Sequence, residues 1–392
     1  MSPGLLCVVT LLAAAPSPVS GQELWAGARV QSYVMSEPAA VRLHDIRLVS
    51  LPFGARLRPT PWARLSVTGA HAEAEMTLPN GETGTVSGVT DTRVALEGSW
   101  RNFTLTGGAM LPTGTVVRNV EEATVVGLLA SELLPFALSE WGTGGAYGGD
   151  LAYTVGLGRT TVGLSAGYLA VREFTPLGDE SSRESNPFDA VEPSYHPGSQ
   201  VRGRLALDTR IGEADVLSVL VGLQRFGTDT YDEQNVFQPG TRFESLVSYA
   251  FPVGARESAL LYGGYYDRGA GSLVWSLQAP PELGDVFPGA SPSVSRQLFL
   301  AGSELRIARR RFDVAPRAEL RVLRSGEGLG QGWLASVSGR GTYRVLGKRY
   351  GGRLLVEPTA GVRFGRVVPE KEMESEVLGW EAGFAVRWDL GR

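Results

Sequence analysis

The sequence predicts an all-β protein, a transmembrane antiparallel β-barrel of about fourteen strands with short turns at one end and long loops at the other. Three observations point there. The last stretch, Trp380 to Leu390, alternates without a fault: Trp380, Ala382, Phe384, Val386, Trp388 and Leu390 interleave with Glu381, Gly383, Ala385, Arg387 and Asp389. The same period of two recurs along most of the chain, in segments long enough to cross a bilayer when tilted. Hydrophobic residues are 43% of the chain and the mean hydropathy is −0.02, so hydropathy excludes a helical membrane protein without excluding a barrel, in which every second residue faces a polar lumen. Closure is what lets β-structure cross lipid, because no backbone N–H or C=O is then left unpaired.

The chain divides into three parts. Leu5 to Ala15 is an apolar run too short to span a membrane, and small residues follow at Val19-Ser20-Gly21, so residues 1–21 read as a secretory signal cleaved after Gly21. The single cysteine, Cys7, falls inside it, and the mature chain is expected to be free of cysteine. Residues 22–61 are mixed in character and are expected to plug the lumen or hang in the periplasm; 62–392 form the barrel.

Strands are expected near 62–76, 89–98, 100–111, 147–157, 159–172, 199–211, 214–227, 241–252, 257–268, 294–308, 311–323, 331–346, 350–367 and 376–390. Tight connections (Gly98-Ser99, Gly158, Gly212-Glu213, Arg309-Arg310, Gly347-Lys348) alternate with long ones at 77–88, 112–146, 173–198, 228–240 and 269–293. This asymmetry is that of periplasmic turns and extracellular loops. Alternation assigns the faces. Val201, Leu205, Leu207, Ile211, Ala318, Leu320, Val322, Trp333, Val337, Tyr343, Leu354, Val362 and Phe364 point to lipid. Arg202, Arg204, Asp208, Arg210, Arg317, Glu319, Arg321, Arg340, Arg344, Arg353, Glu357, Arg363, Glu381 and Arg387 point to the lumen. A slip of one residue would place those charges in lipid, at about 2–4 kcal/mol for each arginine near the midplane. Trp62, Trp100, Trp333, Trp380 and Trp388 fall where interfacial girdles belong.

One long connection has content of its own. Residues 119–134 read as a helix, with Glu121 and Glu122 at its start and Pro135 as its stop. Its apolar side chains, Val125, Val126, Leu128, Leu129, Leu133 and Leu134, must be covered either by the barrel mouth or by a hydrophobic ligand. Asp229, Asp232 and Glu233, in the 228–240 loop, read as solvated surface, because their spacing does not make a calcium loop.

Nothing marks an enzyme. The three histidines are His44, His71 and His196. His44 and Asp45 are adjacent, which turns their side chains apart; His71 shares a strand face with Glu73 and Glu75; His196 sits in a Ser-Tyr-His-Pro loop. No nucleophile motif, phosphate loop or metal-ligand spacing accompanies them, so neither a cofactor nor a metal is expected. A net charge of −4 gives no basis for nucleic-acid binding.

The run Ser87-Gly88-Val89-Thr90-Asp91-Thr92, followed by Leu111-Pro112-Thr113-Gly114, resembles the "Gly-x-x-Asp … Pro-Thr-Gly" signature of outer-membrane transporters associated with the meta-cleavage pathway of phenol degradation. Those are similar in turn to the long-chain fatty-acid and aromatic-hydrocarbon channels, with fourteen strands and an N-terminal plug. The match covers about residues 85–115. Where the fatty-acid channels carry Asn-Pro-Ala in the plug, this chain has Glu37-Pro38-Ala39. The resemblance implies uptake of small hydrophobic compounds. Residue patterns alone leave a general or anion-leaning porin, or a barrel acting as anchor or assembly protein, equally open. The expected partners are outer-membrane lipid and lipopolysaccharide, the barrel-assembly machinery and a small hydrophobic molecule, at the bacterial outer membrane.

Overall fold

The computed structural model describes residues 22–115, 120–138, 141–142, 144–174, 195–231, 233–273, 294–325, 331–346, 352–370 and 373–390. The signal segment lies outside the described residues. In chain order the elements are β1 (Glu23–Met35), α1 (Pro38–Val41), β2 (Asp45–Thr60), β3 (Ala63–Thr77), β4 (Thr83–Val89), β5 (Thr92–Trp100), β6 (Phe103–Leu111), α2 (Val120–Leu129), β7 (Ala146–Leu157) and β8 (Thr160–Val171). There follow β9 (Tyr195–His196), β10 (Gln200–Ile211), β11 (Asp215–Phe226), β12 (Asp229–Tyr231), β13 (Gln234–Gln238), β14 (Arg242–Pro252), β15 (Glu257–Arg268) and β16 (Ser272–Leu273). The last five are β17 (Arg296–Ala308), β18 (Phe312–Ser325), β19 (Gln331–Leu346), β20 (Arg353–Glu370) and β21 (Met373–Asp389).

Seventeen of these strands form one antiparallel sheet, and β21 pairs with β1 from Glu23 opposite Asp389 to Met35 opposite Val377, so the sheet is closed. β4 and β5 lie end to end against β3, β4 on His71–Thr77 and β5 on Ala63–Thr68, and share one place in the wall. The barrel therefore has sixteen strand positions among the described residues, not about fourteen. The difference lies in the N-terminal segment. Residues 23–35 and 45–60 are neither plug nor appendage; they are β1 and β2, hydrogen-bonded to each other, to β21 and to β3. Glu37-Pro38-Ala39 belongs to the connection between them, where Pro38 opens α1.

Tight turns gather at the end where Glu23 meets Asp389. Gly158 and Gly212 hold positive φ there (65° and 88°), a region L side chains rarely adopt. The turn expected at Gly98-Ser99 instead falls at Arg101-Asn102, since β5 and β6 stay paired as far as Trp100 opposite Phe103. The expected loop at 77–88 is a hairpin that feeds β4. At the other end β9, β12, β13 and β16 form a separate four-stranded sheet, with β12 and β13 central. There Asp229 is buried, accepting from the Tyr195 hydroxyl and from Gly198 N–H at 2.7 Å, and is not the solvated acid its sequence suggests. Burial, with the Asp229 carboxylate beside it, pushes the Tyr195 phenol far above the usual tyrosine range, so it remains the donor.

The outer surface is apolar between two aromatic zones, Trp62, Trp100 and Trp388 at the turn end and Tyr147, Tyr168 and Trp333 toward the loops. Above the second zone the outward positions of β3 become His71, Glu73 and Glu75, all exposed, so the wall rises beyond the hydrocarbon. Leu205 and Ala206, neighbours on β10, have opposite orientations, with Leu205 on the exposed outer side. Leu205→Arg is expected to block insertion, at a cost of about 2–4 kcal/mol in lipid, whereas Ala206→Arg should still yield the heat-resistant folded band on a gel. Deleting residues 24–55 takes out β1 and most of β2, and should abolish that band rather than open the pore.

Candidate functional site

The lumen is shaped by the described residues of the connection from β6 to β7, 112–115, 120–138, 141–142 and 144–145, which turn inward. β6 stops at Leu111 opposite Thr92, and above that row β4 pairs with β3 on one side. The residues of the Gly-x-x-Asp and Pro-Thr-Gly runs meet here as a clasp. Thr113 Oγ1 accepts from Thr92 N–H (2.8 Å) and lies 3.2 Å from the Thr90 carbonyl oxygen, while Gly114 N–H donates to Asp91 Oδ1 at 2.9 Å. Thr115 N–H reaches the Val89 carbonyl oxygen at 2.8 Å, and Gly142 N–H returns to the Thr115 carbonyl oxygen at 3.1 Å. A Cβ on Gly88 would stand 1.8 Å from Thr115 Oγ1, so the chain passes there only because this position is glycine. The outgoing and returning arms of the loop are thus fastened to the bend between β4 and β5, where Thr90 N–H also donates to Ala70 O at 2.9 Å.

From the clasp the loop crosses to the opposite wall. α2 packs on β4 and β3; Val125 and Leu129 are fully buried and Leu133, Leu134 and Trp141 nearly so, in one cluster with Tyr33, Ile46, Leu48, Ala74, Met76, Val86, Leu298, Leu323, Leu334 and Val377. Those wall residues face inward, so one side of the lumen is apolar and is covered by the loop. Phe136 meets the Tyr33 ring edge-on with centroids 5.0 Å apart. Buried Gln31 donates from Nε2 to the Pro135 carbonyl oxygen (3.1 Å) and accepts Ala137 N–H (2.6 Å). Arg321 donates to the Glu132 carbonyl oxygen at 3.4 Å. The expected helix over 119–134 is shorter, Val120–Leu129, and residue 119 lies outside the described residues. The six aliphatic residues proposed to line a ligand are mostly occupied already: Val125, Leu129, Leu133 and Leu134 lie in the packed cluster, with Val126 and Leu128 partly buried against it.

Most of the charged positions form ion pairs, between strands or along one. Glu381 accepts from Arg363 (2.7 Å), from Arg29 and from Gln31 (3.2 Å), spanning β20, β21 and β1. Glu319 holds Arg317 and Arg321, the latter at 2.8 Å, and accepts from Tyr262 at 2.8 Å. Arg202 grips Asp150 through both nitrogens of a fork, and Arg204 reaches Glu244 at 2.8 Å. Toward the turn end, Arg340 pairs with Glu304 (2.9 Å), Arg344 with Asp313 (3.6 Å) and Arg387 with Glu357 (3.0 Å). Asp208 stands opposite Ser218 and Thr161, Arg210 opposite Val216, and Arg353 opposite Asp389.

Between the inserted loop and the β10–β18 wall a cavity of about 660 Å³ remains open. Six arginines line it, Arg202, Arg204, Arg242, Arg268, Arg296 and Arg321, against the acids Glu132, Glu244 and Asp267. Arg242, Arg268 and Arg296 were not singled out by the sequence, although the period of two on β14 sets Arg242 on the face of Glu244. The histidines do not assemble with one another. His44 Nδ1 meets Asp45 Oδ2 at 2.7 Å, contrary to the sequence expectation, because His44 precedes β2 and is not constrained to strand alternation. His71 points outward, and His196 pairs opposite Thr230 in the external sheet. Among the described residues no group of His, Cys, Asp or Glu could hold a metal ion.

A closed antiparallel barrel, apolar outside between aromatic zones and polar within, is a transmembrane β-barrel of the bacterial outer membrane. With sixteen strand positions and a loop folded into its lumen, the chain has the architecture of a porin. No protein-family model matches the chain, and no curated protein matches it. Solved structures similar to it include a bacterial polysaccharide outer-membrane secretin (9% identity over 93% of this chain and 98% of that one, TM-score 0.46). The outer-membrane channel DcaP of Acinetobacter baumannii is 10% identical over 95% of this chain and 99% of its own, with a TM-score of 0.40. An outer-membrane channel from Pseudomonas putida F1 is 15% identical over 64% of this chain and 89% of its own, with a TM-score of 0.37.

The clasp predicts a gating phenotype. Asp91→Ala with Thr113→Val removes side-chain hydrogen bonds worth roughly 1–3 kcal/mol in all. The barrel should still fold, and single-channel records should show larger or noisier open levels as the loop base loosens; records identical to wild type would assign the clasp no part in holding the loop.

Proposed function

We propose that the protein is a passive diffusion channel for small polar solutes, with a preference for anions. The observation that supports this most is the open cavity beside the inserted loop, lined by six arginines and three acids. A solute crossing here passes between the loop and β10–β18, because the other side of the lumen is closed by the apolar cluster. Positive charge lining a water-filled path lowers the barrier for anions and raises it for cations. The reading as a channel for hydrophobic compounds draws on the resemblance over residues 85–115 and on the aliphatic face of 119–134, and that face packs on the wall. Nor does the interruption of the wall above Leu111 offer a path sideways into the hydrocarbon, since the outward residues at that height are His71, Glu73 and Glu75.

Planar-bilayer recording tests the proposal. Wild-type protein should give steady open steps, and a salt gradient at low ionic strength, where screening is weak, should yield a reversal potential on the anion side. Replacing residues 120–138 by a short Gly-Ser linker should raise the conductance severalfold. No conductance from correctly folded wild type would leave the anchor or assembly reading in its place.

A further inference from the structure

Most luminal arginines are held by a carboxylate of the chain; two that line the cavity, Arg268 and Arg296, differ. Arg242 stands directly opposite Arg268, and Arg268 directly opposite Arg296, in one row across β14, β15 and β17. Like charges opposed across a sheet are unfavourable, and neighbouring strands are only about 4.8 Å apart. Arg202, Arg204 and Arg321 have Asp150, Glu244 and Glu319 as partners. No carboxylate of the described residues forms an ion pair with Arg268 or Arg296; Arg242 stacks over the Phe226 ring at 5.0 Å. The facing acid is Glu132 on the inserted loop.

The surface beside the row is apolar. Two residues along each strand, Tyr266 stands opposite Leu298, and Leu300 follows in the next row. Phe136 lines the same cavity from the loop side. Tyr266 is 36% exposed, an aromatic ring open to the lumen. An inorganic anion would engage the arginines and leave this surface wet. A neutral hydrocarbon would cover the surface and leave the arginines opposed.

We infer that this corner of the lumen is a binding subsite for organic anions that carry a carboxylate on an aryl or alkyl body. The carboxylate sits on the guanidinium forks of Arg268 and Arg296, whose geometry suits bidentate pairing, and the body lies against Tyr266, Leu300 and Phe136. The inference rests on the channel reading in that the lumen is the route by which the solute arrives.

The test is calorimetric titration of the folded full chain in detergent at low ionic strength with 3-phenylpropionate as probe, against 3-phenylpropanol and inorganic phosphate. The carboxylate should bind and the alcohol should not. Arg268→Gln with Arg296→Gln should weaken binding by about tenfold or more, and Tyr266→Ala by about threefold to tenfold for phenylpropionate alone. Folding is checked by gel mobility, and if the double variant fails to fold, single Arg268→Lys, which keeps the charge and loses the fork, should still weaken binding. Phosphate binding as tightly as phenylpropionate and unaffected by Tyr266→Ala would overturn the inference, as would absence of phenylpropionate binding. The two readings fail separately: binding without bilayer conductance defeats the channel, and conductance without binding defeats the subsite.

Discussion

A sheet in hydrocarbon has no water to satisfy its edges, so its first and last strands must meet. Here β1 and β21 meet over thirteen consecutive pairs. The number of strands in the ring then fixes its width, and sixteen leave a lumen that wall side chains cannot fill. The inserted loop and the charge pairs within are answers to that vacancy. The seam is also where the answers converge, for Glu381 on β21 holds Arg29 and Gln31 of β1 and Arg363 of β20, while Gln31 carries the backbone of the loop at Pro135 and Ala137. Removing one member of a buried ion pair costs about 3–5 kcal/mol, so the link between closure and loop is firm.

The wall from Ala63 onward is legible because one face meets lipid and the other water, which imposes a period of two on the sequence. β1 and β2 are not, for a physical reason. Their inward residues Tyr33, Met35, Ile46 and Leu48 are apolar because they press on the loop, while Ser32, Asp45 and Arg47 lie on the other face, so polarity and facing part company within each strand. Along the upper part of β3 the pattern inverts: Ala72, Ala74 and Met76 face a dry interior, and His71, Glu73 and Glu75 face outward. Face assignment from polarity assumes a wet lumen, and it loses its footing where the lumen is dry.

The lumen itself was legible one strand at a time. Glu319 and Arg321 pair along β18 itself, but that Glu381 takes Arg363 and Arg29 depends on the register of β20 and β1 against β21. The row of Arg242, Arg268 and Arg296 is the clearest case, assembled from the first residue of β14, the last of β15 and the first of β17. The aliphatic residues of 125–134 announced that something must cover them, without showing that the cover is supplied by strands from both ends of the chain. The Gly-x-x-Asp and Pro-Thr-Gly runs are separated by β5 and β6, and their shared role as a clasp exists only once that hairpin has formed.

The provenance of the loop's cover bears on how the molecule is made. The loop leaves the chain after β6, and β3 and β4, which receive α2, are its near neighbours in sequence. Leu133 and Leu134 share one cluster with residues of β1, β17, β18, β19 and β21, far from them in sequence, and Phe136 rests on Tyr33 of β1. Long-range contacts of this kind form late, because the intervening chain must first be ordered. Until β21 pairs with β1 the loop lacks part of its cover, and an apolar flank is left open. The arrival of the last strand hides it, so a nascent barrel and a finished one differ in surface chemistry as well as in shape.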